Sequence, residues 1–206
     1  MTTSTEGSAV YDVCTELKEK FNQAAGNGGS DKPDYIKILK AHNLPFIEAT
    51  RESAPGSEGE KYSTHAYCAN FVEVHVHSST GMVKIERVVS AVDAGRIINP
   101  ITARSQVIGG IVWGIGMALM EGGVIDHRYG RYVNSNLAEY HLPVNADVPQ
   151  IDVLFMDKRD PVSNAMGSKG LGEVAIVGFA AAVANAVFNA TGKRIRELPI
   201  TPDKLV

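Results

Sequence analysis

The chain has 206 residues, 44% hydrophobic and 21% charged, with 20 basic and 23 acidic side chains. That length can bury a core without metal or disulfide staples. A net charge of -3 with no basic block excludes the usual footprint for nucleic acid or an anionic membrane.

Taken in chain order, residues 7–24 read as a helix, with Val10, Val13, Leu17 and Phe21 on one stripe. AGNGGSDKP then breaks the pattern. A short helix is predicted over residues 34–41, with Ile36 and Leu39 inward, and a strand over residues 46–51. The polar stretch ESAPGSEGEKYS reads as an exposed loop. Residues 71–77 alternate, Val72, Val74 and Val76 against Glu73, His75 and His77, as a half-buried strand does. A turn at Ser79, Thr80 and Gly81 leads to a returning strand over residues 83–92.

Asn99-Pro100 signals a helix start, Asn as cap and Pro at the first helical position. The helix is predicted to reach Glu121, with Ile101, Ile108, Ile111, Ile115 and Leu119 on one face. Residues 151–156 read as a strand, residues 173–191 as an alanine-rich last helix, and LPITPDKLV as an extended tail. The apolar run at 175–190 is interrupted by Asn185 and Asn189, too short and broken for a membrane span. No internal repeat or strong linker appears, so residues 1–206 read as one α+β domain, a β-hairpin sheet packed against several helices.

Two glycine-rich features carry chemistry. The helix after Pro100 holds Gly109, Gly110, Gly114 and Gly116, and each interior glycine costs roughly 1 kcal/mol relative to alanine. Close helix packing explains such glycines, and so does approach of a ligand. Gln106, in the first two turns, offers an amide to a polar ligand. The second feature is GSKGLGE at 167–173, which fits neither common nucleotide-binding glycine motif. Its position before a helix favours an ionised Glu173, which suits a general base. A glutamate that merely complements the helix dipole, or a glycine loop that cradles an anion, fits the same residues. His75 and His77 form an H-x-H pair, but without two further ligands at useful spacing they read as solvated strand-face residues. Cys14 and Cys68 show no metal spacing and read as free thiols in a reducing compartment.

Four motifs then carry a resemblance: AVDAGRIINP with QVIGGIVWGIGMALMEGG over residues 91–123, EYHLPVNADVPQIDV at 139–153, GSKGLGEVAIVG at 167–178, and the terminal PITPDKL. In order and spacing they resemble the C-terminal region of the molybdenum-binding subunit of the xanthine dehydrogenase and aldehyde oxidase family. The last 40 or so residues look most similar to bacterial aldehyde-oxidising members. The resemblance implies a C-terminal molybdenum-cofactor-binding domain. It implies that Glu173 is the base that helps a water-derived oxygen attack an electron-poor substrate carbon, and that Gln106 contacts the pterin. It places Thr3, Ser4 and Thr5 in the tail of a pterin-binding Ser/Thr loop, and Lys169, Gly170 and Gly172 beside the base.

The implied cofactor is molybdenum-molybdopterin in its cytosine dinucleotide form, with FAD and 2Fe-2S groups on partner subunits or domains. The implied partners are the remainder of the molybdenum subunit, iron–sulfur and FAD subunits, and an aldehyde or heterocycle substrate, with neither nucleic acid nor membrane. Aldehyde oxidation is the leading activity, purine or N-heterocycle hydroxylation the alternative, and a non-catalytic cofactor- or subunit-binding domain the third reading. A complete molybdenum subunit is several times longer, so this chain alone is expected neither to hold the cofactor nor to turn over. MTTSTEGSAV lacks the basic and apolar regions of a signal peptide. The expected location is the cytoplasm, or the periplasm through a partner's signal.

Overall fold

A computed structural model describes residues 2–25, 34–52, 57–156 and 158–206, with Ser57 and Glu58 described in backbone only. The chain divides into two compact units, Met1–Thr64 with Arg159–Lys169, and His65–Lys158 with Gly170–Val206.

The first unit is built on helix α1, Thr2–Ala24, and helix α2, Tyr35–Ala41. Val13, Leu17 and Phe21 are half-buried on α1 as the stripe predicts, but Val10 is exposed and Ser8 is the buried residue of the first turns. Phe21 meets Tyr35 edge-on, ring centroids 4.8 Å apart. Asp34 caps α2 by accepting from Lys37 N at 3.1 Å. Ile38 and Leu39 are its half-buried pair, whereas Ile36 is exposed. The strand predicted at residues 46–51 does not form. A strand needs a ladder partner, and this segment is tied instead by single contacts to α1: Lys20 Nζ donates to Glu48 O at 2.8 Å, and Arg51 pairs with Glu16 at 2.6 Å.

The second unit holds a three-stranded sheet ordered β1-β2-β5, from β1 (Tyr67–Val76), β2 (Val83–Asp93) and β5 (Gln150–Phe155). β1 and β2 form the predicted antiparallel hairpin, with a bulge between Glu73 and Val74. Gly81 closes the turn at φ +70, and a side chain there would also strike Pro202 O. β5 runs parallel to β2, which requires a long crossover. Helix α3, Pro100–Leu119, lies in that crossover. Asn99 Oδ1 accepts from Ile101 N and Thr102 N at 3.0 and 3.3 Å, so the Asn-Pro start signal holds. Ile111 and Ile115 are buried, but Ile101 is exposed at the first turn. Strands β3 (Ile125–Asp126) and β4 (Arg131–Tyr132) form a small separate hairpin.

The predicted last helix is two helices, α4 (Val174–Val177) and α5 (Phe179–Thr191), divided at Gly178. The stretch Val174–Thr191 is long and apolar enough to cross a membrane by composition. Here its Ala175, Phe179, Ala180, Val183 and Val187 join Val88, Val92, Val107, Ile111 and Ile115 in one core. The tail is not simply extended: Ile200 N donates to Ala118 O at 2.7 Å, and Pro202–Lys204 forms a 3-10 turn. The α+β class and the packing of helices on a hairpin sheet agree with the sequence.

Candidate active site

Helix α3 repeats Gln106, Gly109, Gly110 and Trp113 at intervals of three and four residues, which places them on one face. That face and the loop before α4 enclose a cleft of about 370 Å³, lined by Gln106, Gly109, Gly110, Trp113, Gly172 and Glu173 among others. Gln106 Nε2 donates to Gly172 O at 2.7 Å and ties the two walls together. Glu173 is the N-cap residue of α4, exposed, and makes no side-chain cap hydrogen bond. The long helix expected to begin there is a single four-residue turn, so its dipole is a minor influence on Glu173.

The helix glycines separate into two groups. A Cβ at Gly114 would stand 2.7 Å from Phe179 Cδ1, and one at Gly110 would stand 3.2 Å from Ala175 Cβ. A Cβ at Gly116 would collide with the Glu121 carboxylate. These three serve packing. A Cβ at Gly109 meets nothing within 4 Å, and the same holds at Gly172. Both line the cleft, so nothing nearby in this structure accounts for their missing side chains, and a group approaching through the cleft would. Gly172 is also not among the positive-φ glycines, so backbone conformation does not account for it either.

A polar network missed by sequence reasoning lies beneath the site. Asn70 on β1 donates from Nδ2 to Ala175 O at 3.0 Å, and its Oδ1 accepts from Ser90 Oγ at 2.9 Å. Cys68 Sγ lies 3.2 Å from Ser90 Oγ. The signal was present: Cys68 and Asn70 precede Val72 on the inward face of β1, and a polar residue facing inward needs partners.

The cleft brings together Gln106, Gly172 and Glu173 of the predicted site residues. Gly170 is exposed in the loop and does not line it. Thr3, Ser4, Thr5 and Lys169 belong to the first unit. There Ser4 Oγ lies 3.4 Å from Ser168 Oγ, and Lys169 pairs with Asp160 at 3.7 Å with only 9% of its side chain exposed. His75 faces Glu86 at 3.3 Å, and His77 Nδ1 accepts from Thr80 N at 3.3 Å. Among the described residues no three His, Cys, Asp or Glu side chains gather as metal ligands. The cleft offers an amide, the hydroxyls of Thr102 and Ser105 and two bare backbone stretches. That set fits a polar organic cofactor lying against the chain.

An α+β scaffold with such a cleft is suited to binding a cofactor, and the known relatives are cofactor-binding domains. Residues 1–149 match the molybdopterin cofactor-binding domain family. The aldehyde oxidoreductase molybdenum-binding subunit PaoC of Escherichia coli K12 is 43% identical over 213 residues, 98% of this chain and 29% of that protein. The putative xanthine dehydrogenase molybdenum-binding subunit XdhA of the same organism is 42% identical over 140 residues, 68% of this chain and 18% of that protein. Among solved structures, aldehyde oxidoreductase from Desulfovibrio gigas matches at TM-score 0.73 and 25% identity, over 98% of this chain and 22% of that one. Cu,Mo-CO dehydrogenase matches at TM-score 0.81 over 99% of this chain and 29% of that one, and at 22% identity shows the fold alone. The chain belongs to the xanthine dehydrogenase and aldehyde oxidoreductase family of molybdenum-binding subunits. It spans about 29% of the length of the PaoC relatives it matches.

Proposed function

We propose that this chain forms part of a molybdenum hydroxylase that oxidises an aldehyde to a carboxylate, with water as the oxygen source and Glu173 as general base. The observation that carries the proposal is the placing of Glu173 in one cleft with Gln106 and the bare backbone of Gly109 and Gly172. The match to an aldehyde oxidoreductase subunit along 98% of the chain supports the substrate class.

When bound, the molybdenum cofactor supplies the two-electron redox chemistry. Gln106, with Nε2 on Gly172 O, still presents Oε1 and its second N–H to a polar cofactor. Gly109 and Gly172 let that group approach the backbone. Glu173, whose carboxylate is not used in capping, accepts a proton at a carboxylate oxygen as the oxygen of water is passed to the aldehyde carbon. The balanced conversion is aldehyde plus water to carboxylic acid, two electrons and two protons. The electrons leave through iron–sulfur and FAD groups on partner subunits, and the cofactor is the cytosine dinucleotide form. The remainder of the molybdenum subunit completes the cradle.

Purine hydroxylation is the second reading, favoured by the 42% identity to a xanthine dehydrogenase subunit. Purification of the assembly that carries this chain, with molybdenum analysis and turnover in ¹⁸O-labelled water, separates them. Molybdenum-dependent formation of carboxylate from an aldehyde, with more label than exchange of the aldehyde oxygen alone would introduce, supports the proposal. Oxidation of purines but not aldehydes would replace it, and a molybdenum-free assembly would leave only a binding module.

A further inference from the structure

We propose that two side-chain amides, Gln106 on α3 and Asn70 on β1, grip the backbone on either side of Glu173 and set where its carboxylate points. Both are positioning residues, and the role rests on the reading of Glu173 as the base. Gln106 Nε2 donates to Gly172 O at 2.7 Å, one residue before Glu173. Asn70 Nδ2 donates to Ala175 O at 3.0 Å, two residues after it. A carbonyl oxygen only accepts, so each contact fixes which end of the amide faces the loop.

Each grip is itself anchored. Asn70 Oδ1 accepts from Ser90 Oγ, and Ser90 is fully buried on the central strand β2. Gln106 precedes Val107, which is 1% exposed, on a helix whose other face lies in the core. The grips join a soft segment to rigid ones. Helix α4 has four residues, and Glu173 makes no side-chain cap bond. The backbone bonds around Glu173 are local turn bonds of 3.2 Å, Val174 N to Leu171 O and Ile176 N to Glu173 O. Gly170 and Gly172 give the preceding loop extra conformational freedom. A base must be held close to its productive geometry, and the two amide bonds add direction to a segment otherwise anchored by the core packing of Leu171, Val174 and Ala175.

The test uses the assembled enzyme that carries this chain. Gln106→Met keeps the side-chain length and removes the donor, and Asn70→Ala removes the other grip. Each is expected to lower kcat per bound molybdenum about 10- to 100-fold, the size of a displacement of roughly 1 Å. KM should hold, molybdenum content should hold in Asn70→Ala and is measured separately in Gln106→Met, whose amide also faces the cofactor, and amide exchange should quicken only across residues 172–176. In a Glu173→Gln background, adding Gln106→Met should lower residual turnover no further, because both act through one group.

An unchanged kcat per molybdenum in Gln106→Met would overturn the proposal, as would losses that multiply in the Glu173→Gln background. Loss of molybdenum with kcat per molybdenum intact would make Gln106 a cofactor contact only, and also overturn it. Asn70 lies in a buried network, so if Asn70→Ala does not fold, the exposed Gln106 decides alone. Failure of the underlying reading looks different: Glu173→Gln would then retain turnover.

Discussion

Phe179, the first residue of α5, lies directly against Gly114 of α3, where a Cβ would stand 2.7 Å from its ring. Phe179 is fully buried and cannot swing away. Gly114→Ala should therefore destabilise the chain by about 1–3 kcal/mol through overpacking. Gly109→Ala, five residues earlier and facing open space, should stabilise it by up to about 1 kcal/mol of helix propensity. Denaturant unfolding of the two variants checks this. Equal effects would contradict the division of these glycines into packing and cleft positions.

Gly172 and Leu171 are adjacent but face different demands. Leu171 packs against the core, whereas a side chain at 172 meets open space in the cleft. Leu171→Val should lose about 1 kcal/mol of stability, as removal of one buried methylene does, with little change in turnover. Gly172→Val should leave stability nearly unchanged and impair turnover of the assembled enzyme. Positive φ is the other common reason for a glycine in such a loop, and Gly172 does not have it. Crowding of the cleft is thus the mechanism under test. Equal loss of turnover in the two variants, both folded and molybdenum-loaded, would contradict it.

Asp152 on β5 is joined to Arg87 on β2, whose Nε and Nη2 donate to Asp152 Oδ2 at 3.1 and 2.9 Å. The Arg87 hydrogen bond holds the Asp152 carboxyl below the ordinary aspartate value, against the opposing effect of desolvation and with help from Gln150 and Arg104. A folded pKa below the unfolded one stabilises the fold above the ordinary aspartate range, and the benefit is lost as pH falls through the folded value. Carboxyl-carbon NMR titration should show Asp152 titrating low, and Arg87→Met should return it towards the ordinary range. An unmoved midpoint in Arg87→Met would contradict the pairing. Arg87→Met should not alter turnover, because the pair lies outside the residues that line the cleft.

The legible parts of the sequence were those with a strong period or an unambiguous cap. The alternation of Val72, Val74 and Val76 gave the hairpin, and Asn99-Pro100 gave the start of α3. The break at Gly178 was hidden, because the alanine-rich residues around it favour a continuous helix and one glycine costs only about 1 kcal/mol. Strands β3 and β4 have two residues each, too few to show any period. Residues 46–51 have strand composition but no partner, and pairing depends on tertiary structure. At the site, GSKGLGE and Gln106 were readable as residues, but the bond between Gln106 and Gly172 spans 66 positions and could not be read from local spacing. The sequence singled out Gln106 and the glycines of helix α3, but not Trp113 or the stripe they share. The distinction between packing glycines and open ones appears only once Phe179 and Ala175 are placed against the helix.

The most direct measurement of the central claim is turnover per bound molybdenum in the assembled enzyme carrying Glu173→Gln. Glutamine keeps the shape and hydrogen-bonding capacity of the side chain but cannot accept the proton. Loss of a general base typically costs about 10²- to 10⁴-fold in rate, and a fall at or beyond the upper end is expected here, with molybdenum content retained. A Glu173→Gln enzyme that binds molybdenum and turns over at near-normal rate would contradict the assignment of Glu173 as the base.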